Sequence, residues 1–330
     1  MKKLSIAIPT YNRIGELADT LRALFSQDLD ADVEIVVIDN CSDIVVEEAM
    51  VRMIGTRCSE IRFIRNNSNI GLAGNLLRAL EESMGEWIWL LGDDDPPVKG
   101  SYLKIKSSIS SATGNDVLIK FNSSNGGNVS EEVVLKSQFE LAMMCRDPKV
   151  FSNLLFISSS VFRRESMVSR LGIGYQWCNT IAPHIAILMD LMNAGASVRF
   201  CPHEVVEHGR PEAGRAWNPL RLQAGFPFLA DLESGRVFAE VAMPSILSSY
   251  LGKRWILKMG SRFLLNSDKS PKFWVAFYFR YAAIIGGWKG VIMIISTWAF
   301  RGLSSFGLAR ATASKFFSVK DPVVANLDRS

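Results

Sequence analysis

Along the first hundred residues, short runs rich in β-branched and apolar residues alternate with segments whose apolar positions recur every three or four residues. "LSIAIPTY" reads as a strand, and Leu17, Leu21, Leu24 and Phe25 then fall on one helix face. "VEIVVIDN" reads as a second strand, followed by a helix near Val45 to Ile54. "IRFIRN" is a third, and a helix over roughly Ala73 to Met84 leads into "EWIWLLGDDD". This alternation predicts an α/β fold with a mostly parallel sheet flanked by helices. Further on, Asn122 to Ser130 reads as a loop, "LLFISSSVFRR" as a strand, Ala182 to Asn193 as a helix and "SVRFCPHEVVEH" as another strand.

Polar clusters follow three of the predicted strands: Pro9-Thr10-Tyr11-Asn12-Arg13, Asp39-Asn40-Cys41-Ser42-Asp43 and Asp93-Asp94-Asp95. In open α/β sheets ligands bind beyond the carboxyl ends of strands, so the three clusters are expected to converge on one site. Three adjacent carboxylates after an apolar strand repel one another and call for a compensating cation. Mg²⁺ or Mn²⁺ suits that role, since a hard divalent ion takes one or two carboxylates and completes its shell with phosphate oxygens and water. The competing reading is a turn or helix start at Asp95-Pro96 with solvated acids.

Composition and charge refine the picture. The 330 residues are 48% hydrophobic with a net charge of +4, enough for one or two cores. That charge is polarised: residues 251 to 330 hold thirteen Lys or Arg against three Asp or Glu, about +10, leaving about −6 for the rest. Five scattered cysteines without a CxxC pair indicate neither a disulfide framework nor a zinc ribbon, and a reducing compartment is expected. The basic start Met1-Lys2-Lys3 leads into an apolar run stopped by Pro9, which reads as a first strand rather than a signal peptide.

"SIAIPTYNR", "VVIDNCSD", "NNSNIGLAGNLLRAL" and "WLLGDDD", in this order over residues 4 to about 105, resemble the nucleotide-sugar domain of family 2 glycosyltransferases, which have the GT-A fold. The resemblance implies a donor site formed by Pro9, Thr10, Tyr11, Arg13, Asp39, Asn69, Gly71, Asn75, Asp93 and Asp94, with Tyr11 available to stack on a base and Arg13 to pair with phosphate. It implies a metal held by Asp95, with Asp93 and His208 as further ligands. Where many relatives place a Glu-Asp pair as base, this chain has Pro183-His184, so His184, with Asp94, is the catalytic candidate. The alternatives to His184 as base are Asp190, Glu204 and Glu207, with a surface or salt-bridge role favoured for Asp190; the bland reading of His184 is a histidine starting an amphipathic helix.

"WLLGDDD", "ISSSVFRRE" and "APHIAILM" are also similar to the subgroup that adds dideoxyhexoses such as abequose to bacterial O-antigen units. By that likeness the donor is a CDP-sugar, with UDP-, GDP- and dTDP-sugars left open by the wider family, and the acceptor a polyprenyl-linked saccharide, on the cytoplasmic face of the inner membrane. The implied organisation is a GT-A domain over 1–212, with a nucleotide-sugar half (1–120) and an acceptor half (121–212), then a helical, basic, aromatic region over 213–330. A sugar nucleotidyltransferase would carry a Gly-rich basic loop after the first strand, which "IPTYNRIGEL" lacks; a non-catalytic, membrane-docked binding protein is disfavoured by intact Asp39, Asp93 and Asp95. The tail's Lys, Arg and Trp could bind single-stranded nucleic acid or an anionic membrane surface, or cap the core; the membrane surface is expected, peripherally, and nucleic acid is not. The run 281 to 300 approaches a spanning length but holds Lys289 and Gly286-Gly287.

Overall fold

The first strand, β1 (Leu4–Thr10), is buried at all seven positions and β2 (Val33–Asp39) at six of seven, as expected for parallel strands covered on both faces. The computed structural model describes residues 2–124, 126–178, 182–207, 226–251, 255–256, 259–260 and 271–304. The chain divides into two compact units, Met1–Arg210 and Pro211–Ser330.

In the first unit β1 and β2 alternate with α1 (Ile14–Phe25) and α2 (Val46–Ile54); β3 (Ile61–Arg65), α3 (Gly71–Glu82) and β4 (Trp87–Leu90) follow. Next come α4 (Ser101–Ser111), β5 (Asp116–Asn122), β6 (Val133–Leu135), α5 (Gln138–Met144) and α6 (Pro148–Leu155). β7 (Ser160–Arg163), α7 (Arg164–Val168), α8 (Leu171–Gln176), α9 (Pro183–Asn193) and β8 (Ser197–Glu204) complete the unit. The eight described strands form one sheet in the order β3-β2-β1-β4-β7-β5-β8-β6. β3, β2, β1 and β4 are mutually parallel, whereas β7 runs antiparallel to β4 and β5, and β6 antiparallel to β8. The parallel expectation therefore holds for the first half, and the second half is mixed.

Leu17, Leu21 and Leu24 of α1, Val46, Ala49 and Met50 of α2, and Tyr102, Ile105 and Ile109 of α4 pack on one face of the sheet with Ile6, Ile8, Ile35, Val37 and Trp89. α3, with α8 and α9 against it, contacts β1, β2 and β4 outside that cluster, on the opposite face. The chain thus winds outward from β1 through β2 to β3, then returns through α3 to place β4 on the other side of β1. Such a reversal opens a crevice between the carboxyl ends of β1 and β4.

Two readings of the pattern change. "LLFISSSVFRR" is a strand only from Ser160. Its Leu154 and Leu155 close α6, which Asp147 starts by accepting a hydrogen bond from the Lys149 amide (2.9 Å), with Pro148 at the first turn. The stretch 101 to 122, to which the pattern assigns no element, holds α4 and β5.

In the second unit, the run 281 to 300 is not one helix. Pro271–Ile285 and Gly287–Ser304 are separate helices joined at Gly286 and Gly287, whose φ values of 62° and 54° lie in the left-handed region that ends helices. The two helices pack together, the Ala282 carbonyl lying 2.7 Å from where a Cβ on Gly290 would sit. Among the described residues, no helix is long and apolar enough to cross a membrane.

Candidate functional site

The crevice predicted by the strand order is where the acidic triplet lies. Thr10, the last residue of β1, donates from Oγ1 to Asp93 Oδ2 (2.8 Å), tying the ends of β1 and β4 together, and Thr20 of α1 donates to the Asp93 carbonyl (2.9 Å). Arg13, at the N-cap of α1, reaches back with Nη1 to Asp93 Oδ1 (3.1 Å) and Asp94 Oδ2 (2.7 Å). Part of the missing positive charge is thus supplied by the protein. Arg13 neutralises carboxylates here, where the family resemblance implied phosphate.

One guanidinium does not balance three carboxylates. Burial pushes Asp93 up to about 7; Asp94's charge adds to the shift, and Arg13 and Thr10 oppose it without cancelling it. The folded state therefore keeps a proton on Asp93 that the unfolded chain loses near pH 4. Between those values folding binds a proton, so stability falls as pH rises. In chelator-treated protein the thermal midpoint is expected to fall from pH 5 to 8, with a shallower slope in Asp93→Asn. An unchanged slope in that variant would place its source elsewhere.

Asp95 is held from two sides. Ser158 Oγ accepts from the Gly92 amide (2.9 Å) and donates to Asp95 Oδ2 (2.5 Å). A Cβ on Gly92 would lie 2.5 Å from that same oxygen, so only glycine lets the carboxylate fold back there. Ser158 begins the Ser158-Ser159-Ser160 run, whose other two hydroxyls accept from Lys120 Nζ at 2.6 and 2.9 Å. Lys120 is fully buried, which drives its pKa well below the usual lysine range. "ISSSVFRRE" thus contributes the floor of the site, a role its sequence alone did not disclose. Because such outer contacts orient metal ligands, Ser158→Ala is expected to weaken Mn²⁺ binding about tenfold, read by Mn²⁺ electron paramagnetic resonance; unchanged affinity would refute it.

Asp39 and the asparagines shape the other wall. Asp39 accepts from the Ser42 amide (2.8 Å) at Oδ1 and from Arg65 Nη1 at Oδ2, so both oxygens are engaged in the loop after β2. Asn40 Nδ2 donates to Asn69 Oδ1 (2.8 Å), Asn66 Nδ2 donates to Asn40 Oδ1 (3.1 Å) and Asn75 Oδ1 (2.9 Å), and Asn75 Nδ2 reaches the Ile38 carbonyl (3.0 Å). The Gly71 amide donates to Asn69 Oδ1 (2.9 Å). Asn69, Gly71 and Asn75 therefore hold the β3 to α3 loop against the end of β2. Asn40 and Asn66, which the sequence reading did not single out as site residues, are the hubs, signalled only by their place beside strand ends. The loop after β1 is joined to the same wall: the Asn12 amide donates to Ser42 Oγ (2.9 Å), and Asn12 and Asp43 exchange side-chain bonds. Tyr11 is 42% exposed beside it.

His184 is corrected by its location. It sits in the first turn of α9, 3% exposed, with its ring edge-on to Phe162 (6.4 Å) and neither ring nitrogen in hydrogen-bond geometry. Burial, reinforced by the charge of Lys120 and only partly opposed by the Leu154 carbonyl, pushes its pKa down to about 3. A core imidazole of that kind does not meet an acceptor hydroxyl in solvent. Of the alternatives, Asp190 is paired with Arg170 (2.7 Å) and Glu204 is exposed at the end of β8. Glu207 is exposed, and its amide donates to the Pro96 carbonyl (2.9 Å), one residue from Asp95. His208, the next residue, lies outside the described residues.

The cluster fits a hard divalent cation by its donor set: carboxylate oxygens in excess of the positive charge at hand. Among the described residues no three His, Cys, Asp or Glu side chains converge as a complete metal cage. That accords with the Mg²⁺ habit of one or two protein carboxylates plus phosphate and water. Asp93 has both oxygens committed to Arg13 and Thr10.

Comparison with known proteins bears on this arrangement. Residues 5–148 match the model described as glycosyl transferase family 2. The segment that holds the acidic triplet is thus similar to family 2 glycosyltransferases. The chain is 25% identical over 217 residues to abequosyltransferase RfbV of Salmonella typhimurium, covering 58% of this chain and 61% of that protein. It is 33% identical over 103 residues to a GalNAc(5)-diNAcBac-PP-undecaprenol β-1,3-glucosyltransferase of Campylobacter jejuni, covering 31% and 32%. The chain thus spans less than two thirds of these relatives. A crystal structure of Staphylococcus aureus TarS 1-349 in complex with UDP-GlcNAc superimposes with a TM-score of 0.59 at 15% identity, over 96% of this chain and 89% of that one. The mannosyltransferase PcManGT of Pyrobaculum calidifontis, in complex with GDP-Man and Mn²⁺, gives 0.51 at 16% identity, over 99% and 88%. The fold they share with this chain is GT-A.

Proposed function

We propose that this chain is an inverting, metal-dependent hexosyltransferase that moves a sugar from a nucleotide-sugar donor to a lipid-linked saccharide, extending a bacterial cell-surface polysaccharide such as an O-antigen on the cytoplasmic face of the inner membrane. The observation that carries the reading is the Asp93-Asp94-Asp95 cluster, with Arg13 bridging Asp93 and Asp94, seated at the reversal point of a segment that matches family 2. The likeness to RfbV supports the surface-polysaccharide setting, and the undecaprenol in the Campylobacter relative's name supports the polyprenyl acceptor.

When bound, Mg²⁺ or Mn²⁺ supplies Lewis-acid neutralisation of the diphosphate leaving group. Asp95, which accepts from Ser158, would hold it, with His208 as a further ligand. Arg13 and Thr10 keep Asp93 and Asp94 in place beside the donor, and Tyr11 offers an exposed ring to the base. The acceptor hydroxyl attacks the anomeric carbon from the face opposite the diphosphate as the bond from that carbon to the diphosphate breaks, its proton passing to a carboxylate base, for which the exposed Glu207 is a candidate, and no covalent enzyme intermediate forms.

The test is a titration of the purified chain with CDP-, UDP-, GDP- and dTDP-sugars, with and without Mn²⁺, followed by transfer assays on polyprenyl-linked saccharides. Metal-dependent binding of one nucleotide class and sugar transfer are expected. Metal-dependent binding without any transfer would favour a non-catalytic binding protein. Release of pyrophosphate from a nucleoside triphosphate and a sugar phosphate would make it a nucleotidyltransferase.

A further inference from the structure

The helix Gly287–Ser304 shows an outward face unlike the rest of the molecule. Its exposed residues among those described are Gly287, Trp288, Val291, Ile294, Ile295, Trp298, Ala299 and Gly302, none of them polar. Trp288 is 68% exposed, Ile295 62%, Val291 57% and Trp298 56%. At about 100° per residue, Trp288, Val291, Ile294, Ile295 and Trp298 fall within an arc of about 120°. Met293 and Thr297 are buried on the other side. A contiguous apolar face of this kind, presented to water with no polar residue to break it, marks a surface that something covers.

The charges of this region point to what covers it. Residues 271–304 contain Lys272, Arg280, Lys289 and Arg301 and no acidic residue, and residues 251–330 carry about +10. Lys289 Nζ lies 5.9 Å from the Trp288 ring and the Arg301 guanidinium 5.8 Å from the Trp298 ring, so each end of the stripe pairs an indole with a cation. Trp and basic residues together are favoured at headgroup level, with aliphatic side chains between them reaching the acyl boundary. A second copy of the same chain would bring a like-charged region against this one, whereas an anionic lipid surface complements it. The break at Gly286 and Gly287 and the packing of Gly290 on Ala282 fix the helix as one arm of a hairpin, so it can lie flat without spanning.

We infer that the Trp288, Val291, Ile295 and Trp298 face of this helix is an in-plane docking surface for an anionic bilayer. The inference rests on the transferase reading only for its purpose, bringing the chain to where a lipid-linked acceptor lies.

The test is flotation of the full chain with vesicles of phosphatidylcholine alone and of phosphatidylcholine with phosphatidylglycerol. Wild-type chain is expected to float with the anionic vesicles, with blue-shifted tryptophan emission quenched by brominated acyl chains. Ile295→Lys adds a positive charge but breaks the apolar face, and is expected to lower partitioning about tenfold or more; Ile295→Ser is expected to lower it in the same direction. Nucleotide-sugar binding should be unchanged in both variants, so failure here is distinguishable from failure of the donor site. No flotation of wild type, or equal flotation of wild type and both variants, would overturn the inference. Self-association that Ile295→Lys abolishes, in the absence of vesicle binding, would make the covering partner a second copy.

Discussion

Asp95→Ala is expected to remove metal-dependent nucleotide binding, weakening it by on the order of a hundredfold or more, since a divalent ion on a diphosphate supplies several kcal/mol of charge stabilisation. The affected group is specific. Asp93 has its oxygens on Arg13 and Thr10, whereas Asp95 accepts from the Ser158 hydroxyl. Calorimetric titration with UDP and CDP, with and without Mn²⁺, reads the effect. If the variant binds as tightly as wild type with the metal present, the triplet is structural and the donor site lies elsewhere.

Asp116→Ala carries the largest expected loss of stability, about 3 to 5 kcal/mol. Asp116 at the start of β5 is fully buried and accepts from Arg199 Nη2 (2.7 Å) and Nε (3.2 Å), Ser197 Oγ (2.6 Å) and the Thr113 amide (2.8 Å). Alanine leaves Arg199, itself 7% exposed, with Glu132 as its remaining acidic partner among the described residues. Burial alone would raise the Asp116 pKa, but the bonds from Ser197, Arg199 and Thr113 outweigh it and hold it below the ordinary carboxylate value. Its stabilisation is therefore present above the unfolded-state pKa and lost as pH falls through the lower folded value. Urea unfolding at pH 7 checks the magnitude, and Arg199→Met in the Asp116→Ala background should recover part of the loss. A loss below about 1 kcal/mol would show that the pair is replaced by water at little cost.

Some of this was fixed by local chemistry and is readable without coordinates. The strands and helices of the first hundred residues follow from the apolar period, because a buried parallel strand and a one-faced helix each impose a repeat on their own residues. The three polar clusters announce a site because they follow predicted strand ends, and the acid triplet announces a need for positive charge because repulsion between neighbours is a property of the chain itself. What the tertiary structure decided are the relations between distant residues. Arg13 meets Asp93 and Asp94 across eighty positions only because β4 returns beside β1, and Ser158 reaches Asp95 only because β7 runs antiparallel next to β4. His184 looked like a base at its position in the chain and became a core residue because Phe162 and Lys120 close over it, a burial no local pattern encodes. The tail's tryptophans divide the same way: composition marks them as numerous and basic-flanked, but helix packing alone determines that Trp274 turns inward while Trp288 and Trp298 face out.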